Sequence, residues 1–370
     1  MTNSTVAIHR YPDAVRALVP DGATVTPAGP EAMVLEVTGG LLTWNVLAAQ
    51  QLPVAIIDDV DAAQEWVWAL YGEPVAAALD TVRPRARELS GGLVEFGTTA
   101  TGPDAPVDPR GHRLTDAATA PALPALVVSA RRLAYAHWAS RWWPASVLDG
   151  IAALDPALLD RDIALLTEEC ESLVDGSDAV APSIRPSVES SLRASDYALA
   201  AGDADRSGSA LVLARGTGGW DWRQCPAGLV DASESAVSWQ VLREAGTTTV
   251  AIAVAAHPEL PAAVPEHLRP WARVDTGRGE LLTELRPGGD SWIGESELPA
   301  PASTVGISIG VPGFGPDLDT DPQAAQGAVR QRIRDFAAER LRTASTPVDD
   351  GGPFAPLLAE IDAAAGDSDF

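Results

Sequence analysis

Gly306, Ile307, Ser308, Ile309 and Gly310 spell G-x-S-x-G. In serine hydrolases that spacing lifts a nucleophile onto a tight strand-to-helix turn, beside backbone donors for an oxyanion. Here the five residues alternate like a strand and run on into Val311 and Pro312, with no helix pattern behind them. Ser308 therefore reads as a strand residue. Asp317, Asp319 and Asp321 have the one-three-five spacing of a calcium loop, yet Pro322 and Ala328 stand where glycine and a bidentate glutamate are needed. An EF-hand is excluded, and the three aspartates remain a candidate cation site or a cap for the helix that follows.

Other strings lose their chemistry in the same way. VAIIDD ends in Asp58 and Asp59, a place for magnesium when a phosphate loop precedes it, but no such loop exists. Gly216, Gly218 and Gly219 follow a strand and lead into tryptophans, where a dinucleotide fingerprint requires a helix. His257 and His267 flank a proline-rich loop with Glu259 and Glu266, a thin basis for a metal site. Cys170 and Cys225 are far apart with no ligand partners, which suits a reducing compartment.

All 26 basic residues are arginine, because the chain contains no lysine. P-loop hydrolysis, kinase chemistry and Schiff-base mechanisms all depend on a lysine and cannot run here. Codon bias toward a GC-rich composition, salt adaptation and avoidance of lysine-directed tagging each account for the absence. A formal net charge of −25 repels phosphate backbones and anionic lipid, so nucleic acid and membrane surfaces are not expected partners. No apolar run is long enough for a membrane span, and the first residues lack the pattern of a secretory signal, so a soluble cytoplasmic protein is expected.

What remains points to recognition. In YAHWASRWWPAS, Tyr135, Trp138 and Trp142 fall on one helical face, with Arg141 beside them. Tryptophan with arginine is the composition of interface hot spots, and buried aromatic packing is the competing account. A second apolar stripe, Phe354, Leu357, Leu358 and Ile361, lies on a short helix behind the polar spacer TASTPVDDGGP. Such a helix either folds back on its own domain or docks in a partner's groove. Trp138, Arg141, Trp142, Phe354, Leu357, Leu358 and Ile361 are the candidate partner contacts, and Asp317, Asp319 and Asp321 the candidate metal ligands; no catalytic residue or cofactor is assigned.

These residues need elements to position them. Residues 1–205 read as a mixed α+β domain: short strands such as VAII, a helix over AAQEWVWALYG capped by Asp61, and a helical hairpin near 125–174 whose second helix opens at Asp155 and Pro156. Residues 98–124 are rich in proline and glycine and read as a loop, and a further helix is expected through PSVESSLRASDYALAAG. Over 206–316, short alternating segments separated by turns predict an antiparallel β-sandwich, with a barrel as the alternative. A helix over 317–345 is expected to pack on the sandwich edge through Val329, Ile333, Phe336 and Leu341, and 346–370 holds the spacer and tail helix. The fold class is thus α+β. The expected function is a non-enzymatic accessory, binding or assembly protein acting through protein contacts, such as an adaptor in a multi-gene defence or stress system beside a separate ATPase or protease. The alternative is a hydrolase with a loop-built, metal-assisted site. The partner and the oligomeric state are not legible.

Overall fold

The computed structural model describes residues 4–11, 15–25, 29–82, 111–175, 210–298, 305–316, 323–346 and 352–366. The expected helix over PSVESSLRASDYALAAG and the aspartates Asp317, Asp319 and Asp321 lie outside the described residues. The chain is α+β with C-terminal helices, and it divides into two units, residues 1–174 with 318–370 and residues 175–317.

The first unit is built on an antiparallel sheet of β1 (Thr5–Arg10), β2 (Arg16–Pro20), β3 (Ala32–Val37), β4 (Gly40–Asn45), β5 (Val54–Ile57) and β6 (His112–Ala118), in the order β3-β4-β5-β2-β1-β6. Ile8, Leu18, Leu42 and Ile57 are fully buried on these strands, as alternating apolar residues on a covered sheet must be. β6 falls in the stretch that composition reads as loop. Its exposure follows no simple inside-outside alternation, because it is an edge strand held chiefly by its pairing with β1.

Helices cover this sheet. α1 (Val60–Tyr71) is capped by Asp59, whose carboxylate accepts from the backbone N–H of Asp61 and Ala62. The cap lies two residues before the expected Asp61 because Asp59 still has extended backbone, leaving Asp61 in the first turn. α2 (Glu73–Thr81) follows across Gly72, α3 (Pro124–Trp142) packs on β3, and α4 (Pro156–Asp175) starts at the expected Asp155 cap. Ser129 on α3 donates to Glu169 near the far end of α4 at 2.8 Å, the antiparallel relation of a hairpin. α5 (Gln323–Ala344) and α6 (Leu358–Gly366) complete the unit. From its place in the chain, α5 is expected on the edge of the β-rich region. The structure gives it to the N-terminal unit, where the Phe336 ring meets Tyr135 and Trp138 edge-on.

Among the described residues of the second unit, the strands are antiparallel and the helices are two single 3-10 turns, Trp222–Gln224 and Glu266–Leu268. β7 (Leu211–Gly218), β8 (Val237–Glu244), β9 (Thr247–Ala255), β12 (Arg286–Gly288) and β13 (Ser291–Glu297) form one sheet, and β10 (Trp271–Asp275), β11 (Glu280–Glu284) and β14 (Gly306–Gly310) another. Val250, Ile252 and Val254 of β9 are buried at period two, as are Ala272 and Val274 of β10. The sheets approach where the Thr283 and Ser296 hydroxyls bond at 2.8 Å and a Cβ on Gly294 would lie 2.7 Å from the Leu285 side chain. Trp292 is fully buried, and its indole donates to the Leu229 carbonyl.

Candidate functional site

Two neighbouring features of the first unit gather its unusual chemistry. The first is a polar cluster enclosed by α3, α4, α5 and α6. The Tyr135 hydroxyl donates to Glu360 Oε1 at 2.6 Å, and Arg340 Nε donates to the same oxygen at 2.8 Å. Arg340 also reaches Glu360 Oε2 and the carbonyls of Phe354 and Ala355, while its guanidinium stacks over the Tyr135 ring. Glu360 accepts in addition from the backbone N–H of Leu357 at 2.8 Å, the reach-back half of a capping box. Asp162, from α4, accepts from the N–H groups of Leu358 and Ala359 at 3.1 and 3.2 Å. The opening turn of α6 is therefore capped by two acids, one of them from another helix.

Burial sets the electrostatics here. It raises the Asp162 carboxyl pKa, against the pull of the two backbone donors and Arg132. The Tyr135 hydroxyl is held well above its ordinary pKa by burial and by Glu360, so it acts as a donor. For Arg340 burial works against the charge, but Tyr135 and Glu360 outweigh it and its pKa lies above the usual arginine value. Arg131 is pulled down to about 10 by burial and by the charge of Arg340, which still leaves it a cation at neutral pH.

The second feature is a cleft of about 770 Å³ at one end of the six-stranded sheet. Its walls come from the turn after β2, the loop after β4, the segment between β6 and α3, and Pro353. Asp21 is the one charged side chain among the lining residues, and its carboxylate is occupied by Thr5, which donates through its N–H at 3.1 Å and its hydroxyl at 2.6 Å. Those bonds lower the Asp21 pKa. Ala48, Ala49, Val128 and prolines supply an apolar lining, with the amides of Asn45, Gln50 and Gln51 among them.

Arg131 joins the two features. Its Nε donates to the Gln50 carbonyl in the cleft wall at 3.0 Å and its Nη1 to the Pro353 carbonyl at 2.7 Å, and its guanidinium lies 4.1 Å from the centroid of the Phe354 ring.

The residues singled out from sequence fall in different environments. Trp138 is only 2% exposed, stacked on Tyr135 with its indole donating to the Pro30 carbonyl. Arg141 is exposed over the half-buried Trp142 ring. In the tail, Leu357 is fully buried and Leu358 half-buried, whereas Phe354 and Ile361 are 44% and 41% exposed. Ser308 pairs with Arg273 inside β14, an edge strand, away from any strand-to-helix turn. The His257 pKa is lowered by burial, and its Nδ1 accepts from the Glu259 N–H. Among the described residues, no three His, Cys, Asp or Glu side chains gather closely enough to hold a metal ion, and no helix is long and apolar enough to cross a membrane.

Asp162, Arg340 and Glu360 carry no sequence signal that singles them out. A trace was there, since Asp162 sits between Leu159 and Leu166 at helical spacing, an acid within a buried stripe. In so acidic a chain one carboxylate on a stripe does not stand out. No protein-family model matches the chain, and no curated protein or solved structure matches it either.

Proposed function

We propose that this chain is a non-enzymatic binding or assembly protein whose cleft receives an uncharged, extended segment of a protein partner. The observation that carries the reading is the cleft's lining: apolar and prolyl walls with side-chain amides and one charge already engaged by Thr5. Asn45 Oδ1 accepts from the Leu47 N–H and Gln50 Nε2 donates to the Leu52 carbonyl, and the remaining capacity of these amides, with that of Gln51, matches the polar groups of a peptide backbone. The volume falls within the range of pockets that accept ligands, about 300–1,000 Å³. A cleft so poor in charge selects by shape and backbone pairing, while the net charge of −25 disfavours nucleic acid. Arg141 and Trp142, and the exposed Phe354 and Ile361, offer further contact area, with an accessory role beside a separate ATPase or protease as the cellular setting.

Ala49 is exposed in the cleft wall, so Ala49→Trp fills the groove without entering the core. Tagged wild type and Ala49→Trp are recovered from the source cells and the co-purifying proteins quantified by mass spectrometry. The expected result is a stoichiometric partner with the wild type and its loss in the variant. Equal recovery by both forms removes the cleft from the proposal.

A further inference from the structure

We infer that the C-terminal segment 352–366 is a docked strap that completes the wall of this cleft, and that its release dismantles the binding surface. The inference rests on the cleft being the binding site, and it assigns that site a control. Pro353 is the strap's contribution to the lining, and the neighbouring wall is the loop through Ala48 and Gln50. One buried guanidinium, that of Arg131, holds both, through the carbonyls of Gln50 and Pro353. When the strap leaves, Arg131 loses an acceptor and its stacking on Phe354, and its hold on Gln50 is no longer fixed from the other side.

The attachment is built to let go as a unit. Its apolar anchors are small, with Leu357, Ala359 and Ala364 as the buried aliphatic residues, and the rest of the hold is polar: Arg131, Arg340, Asp162 and Glu360. Removing one member of a buried charged network is costly because the others stay buried without a partner. Complete release returns these groups to water, so it is far cheaper than any single deletion implies. Segments with few apolar contacts and many polar ones open as cooperative units below the free energy of global unfolding.

The direction of control follows from geometry. The strap lines the cleft through Pro353 and leaves the rest of the lining to other segments, so docking adds to the wall without filling the cleft, and a bound segment that touches both Pro353 and the 48–52 loop favours the docked state.

Hydrogen exchange on the full chain without any partner tests this. Glu360→Gln weakens the latch, and the expected outcome is that peptides covering 353–366 and 45–52 both exchange about tenfold faster or more, while β5 and the second unit keep wild-type rates. Faster exchange confined to 353–366 overturns the inference, since strap and wall are then uncoupled. A rise throughout the first unit also overturns it, making the strap a plain brace. Should Glu360→Gln not fold, wild-type exchange across a denaturant series decides: the Ile361 N–H, bonded to the Leu357 carbonyl, and the Ala48 N–H, bonded to the Asn45 carbonyl, must open in one step below global unfolding. Ala48 opening only with the whole unit overturns the coupling. These readouts involve no partner, so they stand apart from the Ala49→Trp recovery, which tests the cleft as a binding site.

Discussion

Three nitrogens of Arg340 reach five oxygens, on Tyr135, Glu360, Phe354 and Ala355. An ammonium has three donors on one atom and cannot span that set, so arginine is required here by shape as well as charge. Two substitutions separate the roles. Tyr135→Phe removes two hydrogen bonds, the one it donates to Glu360 and the one it accepts from Arg340, while Arg340 still serves Glu360, and the expected loss is about 1–2 kcal/mol. Arg340→Met leaves Glu360 buried without its counter-ion, held only by Tyr135 and the Leu357 N–H, and about 3–5 kcal/mol is expected. Urea unfolding with unchanged slope gives both values, and equal losses would contradict this ranking. Asp162 yields a pH dependence. Its folded pKa is raised, chiefly by burial, so its contribution to stability is full below the unfolded pKa and is lost as pH rises through the folded one. The stability difference between wild type and Asp162→Asn is therefore expected to shrink from acid toward neutral pH. A difference that grows over that window would mean the two backbone donors outweigh burial.

Element ends divide into those a sequence announces and those it does not. Asp155 before Pro156 starts α4 as composition predicts, because an acid acceptor and a proline with fixed φ suit the same two positions. The longer strands of the second unit were legible for a related reason, as covered faces enforce alternation, whereas the three-residue β12 was not, since Arg286, Pro287 and Gly288 have the composition of a turn. β6 was not, since pairing with β1 supplies what its own side chains do not. Gly72, between α1 and α2, illustrates a constraint invisible without coordinates. Its φ of +95° suits glycine, and an added Cβ would lie 2.0 Å from the Ala120 carbonyl oxygen. Gly72→Ala is expected to cost about 1–3 kcal/mol from backbone strain alone, before the clash is counted. Asp155→Ala removes only a cap and is expected to cost about 0.5–2 kcal/mol. Thermal melts of the two variants compare them, and a Gly72→Ala protein as stable as wild type would show that segment 119–121 yields freely.

For the whole molecule, charge is the property most plainly written in the sequence. A net charge of −25 stores self-repulsion in the folded state, and added salt screens it. The melting temperature is expected to rise as sodium chloride increases from low millimolar to about 0.5 M, where the Debye length falls to a few ångströms. A flat or falling series would mean that screened attractive pairs balance the repulsion. Composition could not show how the units divide the chain, because that depends on contacts between residues more than a hundred positions apart, such as Tyr135 with Arg340 and Glu360. Those contacts carry a consequence for biosynthesis. A ribosome delivers residues 1–174 first, then the whole of the β-rich unit, and only afterwards the helices bearing Arg340 and Glu360. Tyr135, Arg131 and Asp162 must wait through the translation of more than a hundred codons before their partners emerge. The second-made unit is thus free to complete its fold first, while in the first-made one the surface bearing Tyr135, Arg131 and Asp162 stays uncovered, a natural client for chaperones, until the late helices arrive.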